Sequence, residues 1–368
     1  MKIIYLLASL GSGGAERVVS LLANKMCVDG HDIQIVCLKY NDVYYTLHDN
    51  IKVVAATEHA SNRIMELFWL RKYILKEKPD VVIPFTEGVY CFTILALLGT
   101  GIPIIASERL DPTAMSPTRK LLKRLLLPYA DWLVVQTQSI KEYFPPKIQM
   151  KTSIIYNPVR EEVFSLPRTS SLTPTPSPKG EGSIKCEEKL NRIISVARLY
   201  PQKNQKMMIE AFAKIADNFP EWQLVIYGEG PLRSSLELLV KSIQLEGRVL
   251  LPGRTEHVIE ELRKSKIFCL SSDYEGMSNS MIEAICVGLP IVTTNVSGVS
   301  ELVNDNKNGY VVECGDATHM SESLKKMMQD EALMKAYSYN SYKKRDTFRL
   351  SSIVEKWLSL VDDVINKR

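Results

Sequence analysis

Two glutamates bracket a short turn in the segment Glu275-Gly276-Met277-Ser278-Asn279-Ser280-Met281-Ile282-Glu283. The apolar run 267–270 just before it is typical of a buried strand, and Ser278 or Asn279 is a suitable N-cap for a following helix. Free N–H groups at the start of such a helix bind phosphate, and ionised carboxylates accept hydrogen bonds from sugar hydroxyls. The segment therefore predicts a site for a sugar diphosphate. The alternative is that Glu283 is a solvated helix residue and Glu275 an ordinary loop residue.

Two cations form a second chemical signal, in the segment Val196-Ala197-Arg198-Leu199-Tyr200-Pro201-Gln202-Lys203-Asn204. The segment stands where a predicted strand ends and a helix begins, so Arg198 and Lys203 leave the carboxyl edge of a sheet. An arginine fork and a lysine point charge suit two phosphates. They also suit the stabilisation of charge that develops on a departing diphosphate. The alternative is a basic surface turn.

A glycine-rich loop, Ser9-Leu10-Gly11-Ser12-Gly13-Gly14-Ala15-Glu16, lies between the first predicted strand and the first predicted helix. Such loops let the backbone approach phosphate or sugar closely. The loop does not match a dinucleotide fingerprint, because Glu16 takes the place of the third glycine and no acidic residue ends the second strand. A nicotinamide dehydrogenase is therefore disfavoured, and a tight turn without a ligand is the alternative for Gly13 and Gly14.

Strands and helices alternate along the chain in two series, which predicts two doubly wound α/β domains with parallel sheets. We expect these domains at 1–165 and 190–350, with a ligand cleft where the carboxyl ends of their strands face each other. The strand candidates are 2–8, 32–38, 80–84, 102–106, 132–136 and 153–156 in the first series, and 191–197, 222–227, 248–251, 267–270 and 290–293 in the second.

Residues 166–189 separate the two series and include Thr173-Pro174-Thr175-Pro176-Ser177-Pro178. Proline at every second position cannot hold a helix or a central strand, so we expect a disordered linker insertion. The last segment, 351–368, predicts a packing helix that could cross back to the first domain. Its apolar residues at helical spacing are Ile353, Trp357, Leu360, Val361 and Val364.

The bulk properties describe an ordinary soluble protein that is too long for one core. A net charge of +4 is too small to indicate nucleic-acid binding. Seven cysteines without a CxxC pair and five scattered histidines predict neither a disulfide framework nor a metal site. No apolar run has the length of a signal peptide's core or a membrane span, so we expect a cytoplasmic protein.

Taken together, these motifs resemble the signature of the family 4 glycosyltransferases of the GT-B fold. The pair Arg198 and Lys203 and the pair Glu275 and Glu283 carry the likeness, which covers nearly the whole chain except 166–189. Further similar segments are the glycine loop with Ala15-Glu16-Arg17, then Tyr156-Asn157-Pro158-Val159 and Gly228-Glu229-Gly230-Pro231. The resemblance implies two Rossmann-like domains facing across a cleft, in an enzyme that extends lipid-linked or surface glycans.

The resemblance also implies roles for the matching residues. The catalytic residues are Arg198 and Lys203, which hold the donor diphosphate, and Glu275, which positions the donor sugar or, as the alternative, acts as nucleophile. Glu283 bonds the nucleotide ribose. The glycine loop closes over the donor, the turn after Glu275 approaches sugar and phosphate, and Arg254 in Pro252-Gly253-Arg254 lies beside the base. The remaining donor-binding candidates are Gly13, Gly14, Gly276, Met277, Ser278 and Asn279.

The reaction that the resemblance implies is retaining and needs no bound metal, with the donor phosphate assisting deprotonation of the acceptor. A hexose or N-acetylhexosamine linked to UDP is the expected donor, and no cofactor besides this nucleotide sugar is expected. Two alternatives remain open. One is a GT-B nucleotide-sugar epimerase that uses the donor site without an acceptor, and the other is a non-catalytic protein that binds nucleotide sugars.

The acceptor side departs from the many relatives that carry a His-Asp pair, because Ser107-Glu108-Arg109-Leu110-Asp111-Pro112 follows the strand 102–106. This segment is similar to a branch of bacterial enzymes that extend surface and lipid-linked glycans. Glu108 and Arg109 are the acceptor candidates, with Arg109 available to an acceptor phosphate. The alternative is an internal Glu–Arg pair. Thr86-Glu87, after the strand 80–84, is a further candidate for the cleft.

Residues 117–127 predict a basic amphipathic helix. Arg119, Lys120, Lys123 and Arg124 share one side of the helical wheel, and Leu121, Leu122, Leu125 and Leu126 take the other. Such a helix can lie on an anionic leaflet, here the inner face of the cell membrane, as a peripheral contact. The alternative is a helix that packs its leucines on the sheet and leaves its basic residues in water.

Overall fold

The computed structural model describes residues 1–39, 43–112, 116–165 and 189–367. The chain forms two compact units, Met1–Arg160 with Arg349–Arg368, and Glu161–Phe348. The sequence predicts that the first domain ends at 165 and that the second ends at 350, so the boundaries in the structure differ from these by a few residues. The predicted linker insertion at 166–189 lies outside the described residues except for its last position.

The first unit is built on parallel strands, and most of their residues are buried. Its strands are β1 (Lys2–Leu7), β2 (Asp32–Cys37), β3 (Lys52–Ala55), β4 (Val81–Pro84), β5 (Ile105–Ser107), β6 (Trp132–Val135) and β7 (Thr152–Ile154). The sheet β3-β2-β1-β4 continues into the sheet β5-β6-β7 through parallel bridges from Val82 to Ile104 and from Phe85 to Ser107. Ile3 and Tyr5 enter one core cluster and Ile4 the other, as the alternation of a strand requires.

Helices cover both faces of this sheet, which explains why its strands are nearly continuous apolar runs. The helices are α1 (Gly14–Val28), α2 (Arg63–Glu77), α3 (Glu87–Leu97), α4 (Pro117–Leu126), α5 (Gln138–Glu142) and α6 (Pro146–Gln149). None of the described helices of the chain has the length and apolar sequence needed to span a bilayer.

The second unit repeats the arrangement with one parallel sheet in the order β10-β9-β8-β11-β12-β13. Its strands are β8 (Arg192–Val196), β9 (Gln223–Tyr227), β10 (Val249–Gly253), β11 (Ile267–Leu270), β12 (Ile291–Thr294) and β13 (Gly309–Val312). Its helices are α7 (Glu162–Ser165), α8 (Gln205–Ala213), α9 (Arg233–Ser242), α10 (Val258–Lys264), α11 (Asn279–Cys286), α12 (Val299–Leu302), α13 (Ala317–Gln329) and α14 (Glu331–Lys343).

The last helix, α15 (Leu350–Asn366), returns to the first unit. Trp357 and Val361 are fully buried in the core cluster that also contains Ile3 of β1 and Leu22 of α1. The apolar positions that the spacing singled out in this helix are all buried.

Each sheet reverses its strand order at one point, and the loops at that point leave the carboxyl ends of adjacent strands. In the second unit the reversal lies between β8 and β11, and in the first between β1 and β4. Ligands of open parallel α/β sheets bind at such switch points. The predicted donor residues Arg198, Lys203, Glu275 and Glu283 follow β8 and β11, and the glycine loop and Thr86 follow β1 and β4.

Candidate active site

The switch point of the second unit brings two of the predicted catalytic side chains into direct contact. The ammonium group of Lys203, in the loop after β8, forms an ion pair with the carboxylate of Glu275, in the loop after β11. Ser272 Oγ donates a second hydrogen bond to Glu275 Oε1 at 2.7 Å. Glu275 is 8% exposed, so it is not an ordinary solvated loop residue.

Hydrogen bonds that the sequence did not predict join the same two loops. The backbone N–H of Asp273 donates to the carbonyl of Gln202 at 2.9 Å, and Gln202 Nε2 donates to the carbonyl of Tyr274 at 2.8 Å. Asn204 Nδ2 donates to Asp273 Oδ1 at 2.9 Å, from a left-handed backbone conformation with φ of 43°. Asparagine tolerates this conformation better than most residues, which is the one local signal that could have indicated position 204.

The helix after Glu275 begins as predicted. Ser278 is its N-cap and accepts a hydrogen bond from the N–H of Met281 at 3.4 Å. Glu283 is the fifth residue of α11 and is 1% exposed, so the alternative of a solvated helix residue is wrong. Met277 and Ser278 are buried as well, and Asn279 is half-buried. Burial of a carboxylate is costly, so its position at the start of this helix is not that of an ordinary surface residue.

Two glycines let the loop after β9 pack directly on the backbone that carries Arg198. A Cβ at Gly228 would lie 1.9 Å from the carbonyl oxygen of Ala197, and one at Gly230 would lie 2.3 Å from that of Leu199. The N–H of Gly228 also donates to the carbonyl of Gly253 at 2.8 Å, which joins the predicted base-side turn to this loop. The segment Gly228-Glu229-Gly230-Pro231 is therefore glycine-rich because no side chain fits between these loops.

The guanidinium groups of Arg198 and Arg254 are exposed at the same carboxyl edge. The Arg198 group lies 5.0 Å from the centre of the Tyr200 ring, a distance that fits a cation–π contact. Lys203 is held by Glu275, whereas Arg198 remains accessible for an anion.

The glycine loop of the first unit forms the start of α1, with Gly13 as N-cap and Gly14 as first helical residue. Its backbone is extended at Gly13, with φ of −82°, so conformation alone does not require glycine there. A Cβ at Gly13 would lie 2.1 Å from Glu16 Oε2, and glycine leaves room for that carboxylate. Contact of this loop with a donor stays a prediction.

Both acceptor candidates are buried and have internal partners. Glu108 is 0% exposed, and its Oε2 accepts hydrogen bonds from Tyr90 Oη at 2.9 Å and Lys123 Nζ at 2.8 Å. The alternative of an internal Glu–Arg pair is therefore wrong, because the cation that pairs with Glu108 is Lys123. Burial, together with the negative charge of Glu108, raises the pKa of Tyr90 well above its ordinary value.

Arg109 is 8% exposed, and its side chain forms hydrogen bonds with residues of the surrounding loops. Its Nε donates to Ser107 Oγ at 2.7 Å, and its Nη1 donates to Asn157 Oδ1 at 2.8 Å. The guanidinium lies 4.4 Å from the centre of the Phe85 ring, and burial lowers the pKa of Arg109 to about 9. Its Nη2 has no hydrogen-bond partner among the described residues. An acceptor-binding role for Glu108 or Arg109 stays a prediction.

Thr86 and Glu87, the further cleft candidates, lie beside this loop. The N–H of Thr86 donates to the carbonyl of Ser107 at 3.0 Å. Its backbone has φ of 75° and ψ of 151°, a region that is essentially restricted to glycine. Glu87 is 1% exposed and forms an ion pair with Arg119 at 2.6 Å.

Helix α4 is amphipathic as predicted, with three of its leucines exposed and one of its basic residues buried. Lys123 is 3% exposed, and Arg119 pairs with the buried Glu87, so basic residues hold the helix to the unit. Leu121, Leu122 and Leu125 are 59%, 47% and 60% exposed. The alternative, with leucines packed on the sheet and basic residues in water, is therefore wrong for these three leucines and for Lys123, whereas Arg119 and Arg124 are exposed as it expected.

Among the described residues, no group of three or more His, Cys, Asp or Glu side chains could hold a metal ion. A reaction without metal stays a prediction.

The comparisons with protein families match both halves of the chain to glycosyltransferases. The model described as Glycosyltransferase Family 4 matches residues 12–163, and the model described as Glycosyl transferases group 1 matches residues 181–344.

Curated relatives extend this likeness over the full length. A Campylobacter jejuni enzyme named GalNAc-α-(1→4)-GalNAc-α-(1→3)-diNAcBac-PP-undecaprenol α-1,4-N-acetyl-D-galactosaminyltransferase is 30% identical, across 100% of this chain and 99% of the relative. A second enzyme of that organism, an N-acetylgalactosamine-N,N'-diacetylbacillosaminyl-diphospho-undecaprenol 4-α-N-acetylgalactosaminyltransferase, is 28% identical across 91% and 92% of the two chains.

Solved structures agree on the fold. The crystal structure of Anabaena HepE in complex with UDP-glucose superposes with a TM-score of 0.81 and 17% identity, over 100% of both chains. The GT-B fold predicted from the sequence is thereby confirmed.

Proposed function

The chain is a family 4 glycosyltransferase, and on that premise we propose that it transfers a hexose or N-acetylhexosamine from a UDP-linked donor onto a lipid-linked or surface glycan. The transfer retains the anomeric configuration and needs no metal. The names of the two Campylobacter relatives, which specify undecaprenol-linked acceptors, support a lipid-linked acceptor.

The observation that carries the proposal is the contact of Lys203 with Glu275 beside the start of α11. The donor diphosphate would be held between the N–H groups of that helix start and the cations Lys203 and Arg198. Once the donor is bound, these charges are in place before the chemical step, so they stabilise the developing negative charge on the departing diphosphate without further reorganisation.

In this proposal the ion pair opens or is shared when the donor binds. The Lys203 ammonium then donates to a phosphate oxygen, and the Glu275 carboxylate accepts hydrogen bonds from sugar hydroxyls. The fixed hydrogen bond from Ser272 keeps Glu275 oriented during that exchange. Glu283 binds the ribose hydroxyls of the nucleotide, and a phosphate oxygen of the donor takes the acceptor proton.

We expect Lys203→Ala and Arg198→Ala each to lower turnover by about 10² or more, since each removes preorganised charge at the leaving group. Lys206→Ala is the matched control, because Lys206 is a solvent-exposed lysine one turn beyond Lys203. Turnover is measured with radiolabelled UDP-sugars and membrane extract. Equal rates in the Lys203, Arg198 and Lys206 variants would show that Lys203 and Arg198 do not bind the diphosphate.

The same assay separates the competing reactions by the fate of the label. Label in a lipid-extractable glycan supports transfer, label in free sugar indicates an epimerase, and bound but unconverted nucleotide sugar indicates a binding protein. We expect activity to persist in excess EDTA, and a strict requirement for manganese would contradict the metal-free reaction.

Glu283→Gln tests the proposed contact with the ribose of the nucleotide and keeps the shape of the side chain. We expect it to weaken binding of UDP by roughly 1.5–3 kcal/mol, the range for hydrogen bonds to charged groups. Glu210→Gln, on the exposed side of α8, is the control. Unchanged UDP affinity of the Glu283 variant in calorimetry would exclude the ribose contact.

We further propose that α4 contacts the cytoplasmic face of the cell membrane through its exposed leucines. Leu122→Ser with Leu125→Ser should reduce flotation with anionic vesicles, because both side chains lose the apolar surface that would enter the bilayer. Leu238→Ser, at a 68% exposed leucine of the second unit, is the control. Equal flotation of both variants would refute this contact.

A further inference from the structure

A chain of two hydrogen bonds connects β12 to the carboxylate of Glu275. Thr294, the last residue of β12, is fully buried, and its Oγ1 donates to the carbonyl of Ser272 at 2.6 Å. Ser272 is also fully buried, and its Oγ donates to Glu275 Oε1 at 2.7 Å. The hydroxyl of Thr294 therefore holds the backbone of the residue whose side chain holds the carboxylate.

The two donors that contact Glu275 share one of its oxygens. The ammonium group of Lys203 and the hydroxyl of Ser272 both donate to Oε1. Oε2 accepts no hydrogen bond from the residues that the structure describes. An ionised carboxylate accepts hydrogen bonds at both oxygens, so the bonds to Oε1 fix its orientation while Oε2 remains available to a ligand.

The carbonyl of Ser272 depends on Thr294 for its strong hydrogen bond. The other donor near it is the thiol of Cys314, whose Sγ lies 3.7 Å from the carbonyl oxygen. A thiol is a weak donor, and a buried carbonyl without a good partner is costly. Without the Thr294 hydroxyl, we expect the loop after β11 to shift until this carbonyl finds another partner, and Ser272 Oγ to shift with it.

We propose that Thr294 is a positioning residue for the donor sugar, which acts through Ser272 to aim Oε2 of Glu275 at a sugar hydroxyl. The inference rests on the proposed function, in which Glu275 binds the sugar. Thr294 acts without touching the donor, because its hydroxyl is buried and already donates to a carbonyl. Its effect is confined to the sugar, since other residues hold the diphosphate and the ribose in the proposed function.

Calorimetry on the full chain with UDP, UDP-glucose and UDP-N-acetylgalactosamine tests this assignment. Thr294→Val keeps the shape of the side chain and removes the hydroxyl. We expect it to weaken binding of the UDP-sugar that the wild-type protein prefers by about tenfold, as for a lost hydrogen bond to a charged group, and to change UDP affinity by less than about twofold. Thr294→Ser keeps the donor and should restore the sugar affinity, whereas Thr294→Cys, with a weak donor, should give an intermediate loss.

Thr293→Val is the matched control for the loss of a buried hydroxyl. Thr293 is as buried as Thr294, and its Oγ1 donates to the carbonyl of Thr294 at 3.2 Å. Successive residues of a strand point to opposite faces, so this variant makes the same chemical change away from Ser272. We expect it to leave the affinities for UDP and for the UDP-sugar alike.

A double-mutant cycle tests whether Thr294 acts through Ser272. Ser272→Ala should reproduce the selective loss of sugar affinity, and adding Thr294→Val to it should cause little further loss. Three results would overturn the inference: an equal loss for UDP and the UDP-sugar in the Thr294 variants, an equal loss in the Thr293 variant, and additive losses in the cycle.

The failure of the proposed function would look different. A wild-type protein that binds neither UDP nor the UDP-sugars would refute the proposed function, and the role of Thr294 with it. Wild-type binding that is unchanged in Thr294→Val and Thr294→Cys would refute the role of Thr294 alone and leave the proposed function intact.

Discussion

Lys123→Met removes the cation that holds α4 to Glu108, and we expect it to destabilise the first unit strongly. Lys123 Nζ lies 2.8 Å from Glu108 Oε2, and the two side chains are 4% and 0% exposed. Methionine fills similar space without a charge, so the variant leaves a buried carboxylate. The remaining donors to that carboxylate are the hydroxyl of Tyr90 and the N–H groups of Arg109 and Leu110.

Breaking a buried ion pair by removing one partner typically costs about 3–5 kcal/mol. The three donors that remain on Glu108 place the expected cost at the lower end, about 3 kcal/mol. For a unit of this size, that loss corresponds to a fall in Tm of roughly 6–12 °C. Because the chain has two units, differential scanning calorimetry is the suitable assay, and the transition of the first unit is the one compared.

A double-mutant cycle isolates the pair from the other effects of each substitution. Glu108→Gln leaves the Lys123 ammonium 4.9 Å from the centre of the Phe144 ring, where the aromatic face partly compensates the lost carboxylate. The double variant Lys123→Met with Glu108→Gln should therefore be more stable than the sum of the single losses predicts, by about 1.5 kcal/mol or more.

The control for this experiment is Arg124→Met, which removes an exposed cation from the next position of the same helix. Its effect should stay within about 0.5 kcal/mol, as for most surface substitutions. The reasoning is refuted if the Lys123 and Arg124 variants melt alike, or if the Lys123 and Glu108 substitutions are simply additive.

Three further predictions follow from local geometry. Gly228→Ala should abolish donor binding or soluble expression, because its Cβ would lie 1.9 Å from the carbonyl oxygen of Ala197, whereas Gly88→Ala, with a nearest contact of 3.9 Å, should be tolerated. Hydrogen bonds chiefly from Lys2, then from Gln34 and Lys52, lower the pKa of Glu77 from 4.5 to about 2. Its contribution to stability is therefore complete above pH 4.5 and lost as the pH falls through 2, so the Tm deficit of Glu77→Gln should shrink on acidification; a constant deficit would contradict the lowered pKa. Thr86→Gly should leave Tm equal or higher, because relief of about 1–3 kcal/mol of strain exceeds the entropic cost of glycine; a lower Tm would show that contacts of the side chain outweigh its strain.

The start of α11 could be predicted from the sequence because its determinants are local. Ser278 caps the helix that follows it, and the spacing of Glu275 and Glu283 places one before the helix and the other within it. The strands β3 and β13 were missed because each has only four residues and lies at an edge of its sheet, where no long apolar run is required.

The contacts within the site could not be predicted, because they join residues far apart in the chain. The Lys203–Glu275 pair spans 72 residues, and the hydrogen bond from Arg109 to Asn157 spans 48. The periodicity of α4 shows that its two faces differ, but not which face meets the sheet. Leucines normally face inward, and here that expectation fails because Glu87 and Glu108 provide buried partners for two of the basic residues.

The strained backbone of Thr86 and the two ion pairs of α4 lie at the same edge of the first sheet, and hydrogen bonds connect them. A threonine with φ of 75° and ψ of 151° persists only where its surroundings fix the backbone. The hydrogen bond from its N–H to Ser107 and the bond to its carbonyl from the N–H of Tyr90 fix it on both sides. Tyr90 in turn donates to Glu108, which Lys123 holds. Glycine would adopt this conformation without strain, so it is the hydrogen-bond network around position 86 that stabilises the backbone of the threonine.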